Sequence, residues 1–331
     1  MAATQKSVPI VDFSPFFDGT TEGKIKAGKA MVKVMNEFGF MYVINHGIPK
    51  EEQDKAFAWS KKFFEMTEEQ KMKCPMPEDG AHERGYSPIG KEKVMESDLT
   101  EEQTKELRQV VDIKESFDVG DENHKTWCNF WPDEQDIPGF KEFALHYYDL
   151  CTKTSWNFLQ AIALGLGLEE DYLVKNHSDK ESVLRFLHYP STNENDLKTG
   201  KTQRISPHTD YGTMTLLLQD EVGGLEVEDP YNKGHYLPVP YIEGSLVVNT
   251  ADCLEQWSND MLKSTMHTVK APPVNPETGI SKERFSIPFF VSANADTIVE
   301  ALEGTYSEEN PKKYEPITAG EHLIKRLRAT Y

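Results

Sequence analysis

Ser206-Pro-His-Thr-Asp-Tyr211 and Thr265-Met-His-Thr-Val269 are the two stretches that say most about the fold of this chain. Residues i and i+2 of a β-strand point to the same face, so an extended His208-Thr-Asp210 places an imidazole and a carboxylate side by side. His267, on a second short β-type run, can supply a third donor. Two imidazoles and one carboxylate form the facial triad that holds non-haem Fe(II), and the same donors also suit Zn2+. We therefore predict a metal site built from His208, Asp210 and His267.

The chain around these stretches, from about residue 183 onward, consists of short β-type runs separated by turn signals. The double glycine at 223–224 and the Asn-Lys-Gly at 232–234 are typical of hairpin turns. Regularly spaced short strands of this kind favour a sandwich or a barrel. The predicted strands are 183–189, 214–218, 225–227, 245–248, 267–269 and 284–291, followed by a closing helix over 320–329.

The first half of the chain is rich in helix. Apolar residues recur with a helical period over 24–38, 51–66 and 138–168, and strands are predicted at 8–14 and 40–44. Residues 67–110, rich in charge and proline, predict a loop with short helices. We therefore expect one structural unit in which a helix-rich region, residues 1–182, packs on a β core, residues 183–331.

Composition limits the partners that the chain can bind. The 331 residues include 36 Lys and Arg against 55 Asp and Glu, a formal net charge of −19. So acidic a chain does not bind nucleic acid or an anionic membrane through its bulk charge, and an anionic small substrate would need local positive charge, such as an arginine inside a pocket. The four cysteines show no C-x-x-C spacing, and the first residues lack the apolar core of a signal peptide. A cytoplasmic protein with free thiols is the expectation.

Arg284-Phe-Ser286 adds an anion-binding element to the predicted metal site. The two polar side chains share one face of a strand whose apolar continuation, 287–291, indicates a central position. An inward arginine needs an anion, and its planar fork suits a carboxylate, to which the serine hydroxyl can add a further hydrogen bond. Other cations close to the site segments in sequence are Arg84, Arg185 and Arg204.

With these residues in place, the chain resembles the plant- and fungal-type family of Fe(II)- and 2-oxoglutarate-dependent oxygenases that also holds isopenicillin N synthase. The resemblance covers nearly the whole length. Beyond the triad and the Arg-x-Ser pair, it is carried by Val8–Phe13, Phe38-Gly-Phe40, Asn45-His-Gly-Ile48, Asn129-Phe-Trp-Pro132 and Leu184–Pro190. It implies an α+β, mainly β fold, in which helices from the N-terminal half pack on a double-stranded β-helix (a jelly-roll, cupin-like core).

The resemblance also implies an activity and its cofactors. Such a dioxygenase uses Fe(II), O2 and 2-oxoglutarate as co-substrate to oxidise a C–H bond of a small molecule, by hydroxylation, desaturation or cyclisation, with release of succinate and CO2. This activity is typical of secondary metabolism, and no catalytic residue beyond the metal ligands is expected. The residues that match the family's iron ligands are His208, Asp210 and His267, and those that match its co-substrate-binding residues are Arg284, Ser286 and Tyr189.

Several alternatives stay open at the level of sequence. An iron oxidase that uses O2 without 2-oxoglutarate, like isopenicillin N synthase, would keep the same residues. A zinc hydrolase and a non-catalytic binding protein on a β-helix scaffold are further alternatives. Tyr86 and Phe117 resemble segments that line the pocket mouth in the family, although core packing explains them equally well. The 17 residues from His267 to Arg284 indicate an extended hairpin loop at 272–279.

Overall fold

The computed structural model describes residues 7–77, 83–92, 110–193, 202–271 and 274–330. No helix in these ranges is both long enough and apolar enough to cross a membrane. The helices are α1 (Thr21–Glu37), α2 (Lys50–Phe64), α3 (Glu68–Lys71), α4 (Phe140–Gly165), α5 (Tyr172–Lys175), α6 (Asp252–Trp257) and α7 (Ala319–Thr330). The strands are β1 (Ile10–Asp12), β2 (Phe40–Ile44), β3 (Gly85–Ser87), β4 (Val111–Asp112), β5 (Glu115–Val119), β6 (Val183–Tyr189), β7 (Thr192–Asn193), β8 (Thr202–Gln203), β9 (Ile205–His208), β10 (Met214–Gln219), β11 (Leu225–Glu228), β12 (Tyr236–Pro238), β13 (Leu246–Thr250), β14 (His267–Val269), β15 (Ile280–Ser281), β16 (Arg284–Val291), β17 (Ile298–Val299) and β18 (Ile317–Thr318).

A large mixed sheet runs through the whole molecule in the order β1-β2-β13-β10-β16-β6-β5-β3. β1 and β2 are parallel, and the pairs from β2 to β3 along this order are antiparallel. A smaller sheet, β12-β11-β14-β9, covers one face of it. Apolar residues of both sheets share one buried cluster, among them Phe40, Leu187, Val227 and Val269. This two-layer arrangement with packed helices confirms the predicted jelly-roll core.

Helices cover the other face of the large sheet. Successive side chains of β16 point to opposite faces of the sheet. Ile287, Phe289 and Val291 point to the helical side and belong to the apolar cluster that includes the helices. α1 and α4 cross at two glycines, where a Cβ on Gly28 would lie 1.9 Å from a carbonyl oxygen of α4 and one on Gly165 would lie 2.5 Å from the Gly28 oxygen. The close crossing packs α1 directly on α4, on the side of the sheet away from the predicted site.

The observed elements follow the predicted ones closely. The bounds of β2, β6, β14 and β16 are those predicted. α1 begins at Thr21, three residues earlier than predicted, because the Thr20 side chain caps it by accepting a hydrogen bond from Gly23 N at 2.9 Å. The large sheet contains strands that precede residue 183 in the chain and strands that follow it. The division of the chain into a helix-rich region and a β core at that residue stays a prediction. Of the extended loop at 272–279, residues 272 and 273 lie outside the described ranges.

Candidate active site

The three predicted ligands converge between the two sheets. His208 ends β9 and faces His267, the first residue of β14, as its cross-strand partner, with 4.2 Å between the ring centroids. Asp210 lies two residues beyond β9, so strand alternation alone does not place it. Its Oδ1 lies 3.6 Å from His267 Nε2 and 4.0 Å from His208 Nε2. Three buried donors within 4.8 Å of one another can hold a metal ion.

Backbone carbonyls fix the orientation of both imidazoles. His208 Nδ1 lies 2.8 Å from Ser206 O, and His267 Nδ1 lies 3.2 Å from Thr265 O. A carbonyl oxygen can accept but not donate, so each Nδ1 carries the proton and each Nε2 keeps a lone pair for a metal. Burial, and secondarily the neighbouring imidazole, lowers the pKa of His208 to about 3, so this ring is neutral near pH 7. Phe40 packs edge-on against His267, with 5.1 Å between centroids.

Two side chains from the large sheet fix Asp210. Its Oδ2 accepts hydrogen bonds from Thr215 Oγ1 at 2.6 Å and from Asn249 Nδ2 at 2.8 Å. Thr215 and Asn249 are themselves cross-strand partners on β10 and β13. Burial alone would raise the pKa of Asp210, but the two imidazoles and these hydrogen bonds together hold it below its ordinary value. The carboxylate therefore stays ionised and presents Oδ1 to the imidazoles.

Arg284 and Ser286 line the same cavity, at the start of the face of β16 that points into it. The Arg284 side chain is 1% exposed and donates from Nη1 to Ser286 Oγ at 3.0 Å and from Nη2 to Gln219 Oε1 at 3.4 Å. Its guanidinium carbon lies 5.0 Å from the centroid of the Tyr189 ring. Arg284 Nε has no hydrogen-bond partner. A buried guanidinium with a free N–H can bind an anion here.

One cavity of about 1070 Å³, its open mouth included, joins the triad to the Arg284–Ser286 pair. Alternate residues of β6 and β16 form its floor, and the strand register sets Arg284 beside Tyr189 and Ser286 beside Leu187. Apolar side chains occupy the rows nearer the triad, where Phe290 of β16 is the cross-strand partner of Thr215 on β10. Leu323 of α7 contributes to the wall. The cavity can therefore hold an organic molecule next to the metal site.

A buried ionic network forms one wall of this cavity. Arg185 donates to both oxygens of Asp118 at 2.8 and 2.6 Å, to Glu92 at 2.9 Å and to Glu83 at 3.1 Å. Lys114 contacts Glu92 at 3.0 Å. Burial raises the pKa of Glu83. The positive charge of Arg185 acts against this rise, and the negative charges of Asp118 and Glu92 add to it. The sequence suggested Arg185 as an alternative anion-binding cation, but its guanidinium is committed to these carboxylates.

Other residues considered from the sequence have structural contacts. Tyr86 donates to Glu115 Oε2 at 2.6 Å, and Phe117 packs on Phe63 with 4.5 Å between centroids. Neither lines the cavity, so the hypothesis that they contact substrate is wrong and core packing is their role. Arg84 donates to the Glu83 carbonyl at 2.7 Å. Arg204 lies behind the Tyr189 ring.

The C-terminal helix also reaches the site, which the sequence did not predict. Arg326 Nη2 of α7 lies 3.0 Å from Thr209 Oγ1, between the ligands of the His-Thr-Asp stretch, and 3.1 Å from Asp252 Oδ2. The Asp252 backbone N–H donates to the Asp210 carbonyl at 2.9 Å. Helix α7 therefore supports the segment that joins the predicted ligands His208 and Asp210.

Comparison with known proteins gives consistent matches. Residues 8–134 match the family model described as the N-terminal region of non-haem dioxygenase in morphine synthesis, and residues 180–293 match the 2OG-Fe(II) oxygenase superfamily model. The 2-oxoglutarate-Fe(II) type oxidoreductase ppzD of Metarhizium rileyi is 36% identical over 333 residues, which cover 100% of this chain and 94% of that protein. The proline hydroxylase buaE of Petromyces alliaceus is 36% identical over 97% of this chain and 98% of its own.

Solved structures agree with these relatives. The crystal structure of a full-length Neurospora crassa protein in complex with alpha-KG matches with a TM-score of 0.88 at 36% identity, covering 100% of this chain and 98% of that one. The structure of the same Neurospora crassa protein with alpha-KG and thymine has a TM-score of 0.88 at 35% identity and covers 100% and 99% of the two chains.

Proposed function

Because the chain belongs to the superfamily of 2-oxoglutarate- and Fe(II)-dependent oxygenases, we propose that His208, Asp210 and His267 are its iron ligands. The protein is a 2-oxoglutarate-dependent dioxygenase, an oxidoreductase that oxidises a C–H bond of a small molecule with release of succinate and CO2. One observation carries the assignment of the ligands. The two Nε2 atoms and Asp210 Oδ1 face one another, while the remaining polar atom of each group is already hydrogen-bonded.

This donor set fits Fe(II). Two imidazoles and one carboxylate on one side of an ion leave its other side open for further ligands. When bound, iron supplies, with 2-oxoglutarate and O2, the oxidising chemistry of the reaction. The protein contributes fixed ligand positions through Thr215 and Asn249, and the apolar side chains of Leu217 and Phe290 limit the access of water to the reacting groups.

The far carboxylate of 2-oxoglutarate is proposed to bind Arg284 and Ser286, beside Tyr189. Arg284 is buried, forms no ion pair with any carboxylate in the described ranges, and uses two of its five N–H groups in the hydrogen bonds to Ser286 and Gln219. A buried guanidinium without a counter-ion is costly, and a bound carboxylate removes that cost through two charge-assisted hydrogen bonds. The Ser286 hydroxyl, now accepting from Arg284 at 3.0 Å, can donate its own proton to the same carboxylate.

The substrate is proposed to be a small polar organic molecule of secondary metabolism. The cavity joins an apolar face, with Pro288 and Phe290, to the ionic wall around Arg185. Such a mixed lining suits a molecule with both a hydrocarbon part and polar groups. Among the similar proteins, buaE is named a proline hydroxylase and the Neurospora crassa protein was solved with thymine. L-Proline and thymine are therefore the first two compounds to test.

The test is a substrate screen with the purified protein, Fe(II), 2-oxoglutarate and O2. We expect one succinate per oxidised product, complete loss of coupled turnover in His208→Ala and Asp210→Ala, and full activity in His235→Ala, which removes an exposed histidine away from the site. Product without succinate would indicate the oxidase alternative. Turnover that needs Zn2+ and proceeds without O2 would indicate a hydrolase. Full activity of Asp210→Ala would contradict the assignment of the triad.

A further inference from the structure

A second buried arginine lies beside the proposed 2-oxoglutarate subsite. Arg204 is 3% exposed, and its guanidinium carbon lies 5.4 Å from the centroid of the Tyr189 ring, where that of Arg284 lies at 5.0 Å. The two guanidinium carbons are therefore no more than about 10 Å apart. Tyr189 and Arg284 line the cavity, whereas Arg204 does not.

Neither arginine has a protein counter-ion among the residues that the structure describes. Arg204 Nη2 donates to the Lys282 carbonyl at 2.5 Å, and Arg284 donates to the neutral groups of Ser286 and Gln219. Arg204 Nη1 and Arg284 Nε have no hydrogen-bond partner. Burial and the nearby charge of Arg284 lower the pKa of Arg204 to about 10, which is still well above neutral pH. Both groups are therefore cationic in the unliganded protein.

One acidic side chain, Asp220, lies close enough for its charge to act on both arginines. Burial raises its pKa, and the charges of Arg284 and Arg204 act against this rise. Its two oxygens already accept from the backbone N–H groups of Phe285 at 2.6 Å and Val222 at 3.0 Å. Asp112 acts on the Tyr189 ring as well, but among the described residues no carboxylate lies within ion-pair distance of either guanidinium. Buried charges are costly without an opposite partner, so the region favours a bound anion.

We propose that Arg204 is a second cation of the 2-oxoglutarate subsite, which strengthens binding of the far carboxylate from behind Tyr189. The inference rests on the proposed role of Arg284 and Ser286. Arg204 acts here as a positioning residue: its charge adds to the field at the subsite, and its guanidinium supports the face of the Tyr189 ring. It touches neither the metal ligands nor the substrate part of the cavity.

Charge-removing and charge-keeping variants separate this role from simple packing. At about 10 Å and an effective dielectric constant of about 20, one charge changes carboxylate affinity by about tenfold. Arg204→Gln should therefore bind 2-oxoglutarate about tenfold more weakly, while Arg204→Lys should stay close to the wild type. Arg204→Met, which keeps the apolar stem, replaces Arg204→Gln if that variant folds poorly.

The experiment is calorimetric titration of the Fe(II)-loaded protein under nitrogen with two ligands, 2-oxoglutarate and pyruvate. Pyruvate has the same 2-oxo acid end but lacks the far carboxylate, so its affinity should not change in Arg204→Gln. Unchanged 2-oxoglutarate affinity in Arg204→Gln, or an equal loss of pyruvate affinity, would overturn the inference.

Arg284→Gln serves as the reference variant and should lose far more 2-oxoglutarate affinity, again without an effect on pyruvate. If Arg284→Gln binds 2-oxoglutarate normally, the proposed subsite itself is wrong. If Arg284→Gln loses binding and Arg204→Gln does not, only the role of Arg204 is wrong.

Discussion

Thr215→Val tests how firmly the protein holds the Asp210 carboxylate, the proposed metal ligand. Thr215 and Asn249 both donate to Asp210 Oδ2, at 2.6 and 2.8 Å. Valine has nearly the shape of threonine but no hydroxyl, so the variant removes one of these two hydrogen bonds and little packing. The cavity and the backbone of β10 should stay unchanged, and the effect should be confined to the orientation of Asp210.

The expected magnitude follows from the charge of the acceptor. A hydrogen bond to an ionised group contributes about 2 kcal/mol, which corresponds to about thirtyfold in an equilibrium constant. Because the Asn249 amide remains, we expect a loss of Fe(II) affinity of about tenfold to thirtyfold, within the range measured when partners of metal ligands are removed. Asn249→Leu should act similarly. The double variant should lose less than the sum, because both groups bind one oxygen.

The assay is anaerobic calorimetric titration with Fe(II). Thr213→Val is the matched control, since Thr213 is equally buried but its Oγ1 contacts His177 Nε2 at 2.8 Å instead of Asp210. The control should lose stability and keep its metal affinity. A Thr215→Val protein that binds Fe(II) within about twofold of the wild type would refute the reasoning, as would an equal loss of affinity in Thr213→Val.

Three further predictions concern stability and can be checked by urea denaturation. Burial lowers the pKa of His177 to about 4 from 6.5, so the unfolded chain binds more protons between these values and stability falls as the pH is lowered through this window. His177→Gln should make that fall shallower, and an unchanged slope would contradict this. Gly28→Ala should cost at least about 2 kcal/mol because its Cβ would lie 1.9 Å from a carbonyl oxygen of α4, whereas Lys29→Ala, at an exposed neighbour, should cost little. Lys71→Met removes the ammonium group that lies 2.6 Å from the buried Glu115 carboxylate, leaving the contacts with Tyr86 and His188, and should cost about 3 kcal/mol. Adding Glu115→Gln should recover part of that loss, and the absence of any recovery would show that the charge is not the cause.

The sequence predicted those parts of the fold and the site that depend on local pattern. β6, β14 and β16 were predicted with their observed bounds, because runs of apolar and β-branched residues between turn signals are read directly from the chain. Arg284 and Ser286 share a face because alternation within one strand requires it. His208, Asp210 and His267 were brought together as predicted, although Asp210 reaches the cavity from a turn beyond β9 and not from the strand itself.

The parts that the sequence did not predict depend on contacts between distant segments. Arg185 contacts Asp118 because β5 pairs with β6. No local feature of the sequence predicts that pairing. Arg326 contacts Thr209 across a separation of 117 residues. The position of Arg204 behind Tyr189 likewise requires the arrangement of β6 and β9 to be known. A hydrophobic pattern states which face of a strand is buried, but it does not state which strand lies next to it.

The position of β2 in the large sheet has a consequence for how the protein is made. β2 lies between β1, which precedes it in the chain, and β13, which begins about 200 residues later at Leu246. At synthesis rates of about 5 to 20 residues per second, the ribosome needs about 10 to 40 s to produce that partner. Throughout this interval one edge of an apolar strand has no strand to pair with, and such an edge is a template for aggregation. The yield of folded enzyme in a heterologous host should therefore rise with the supply of chaperones that bind nascent chains.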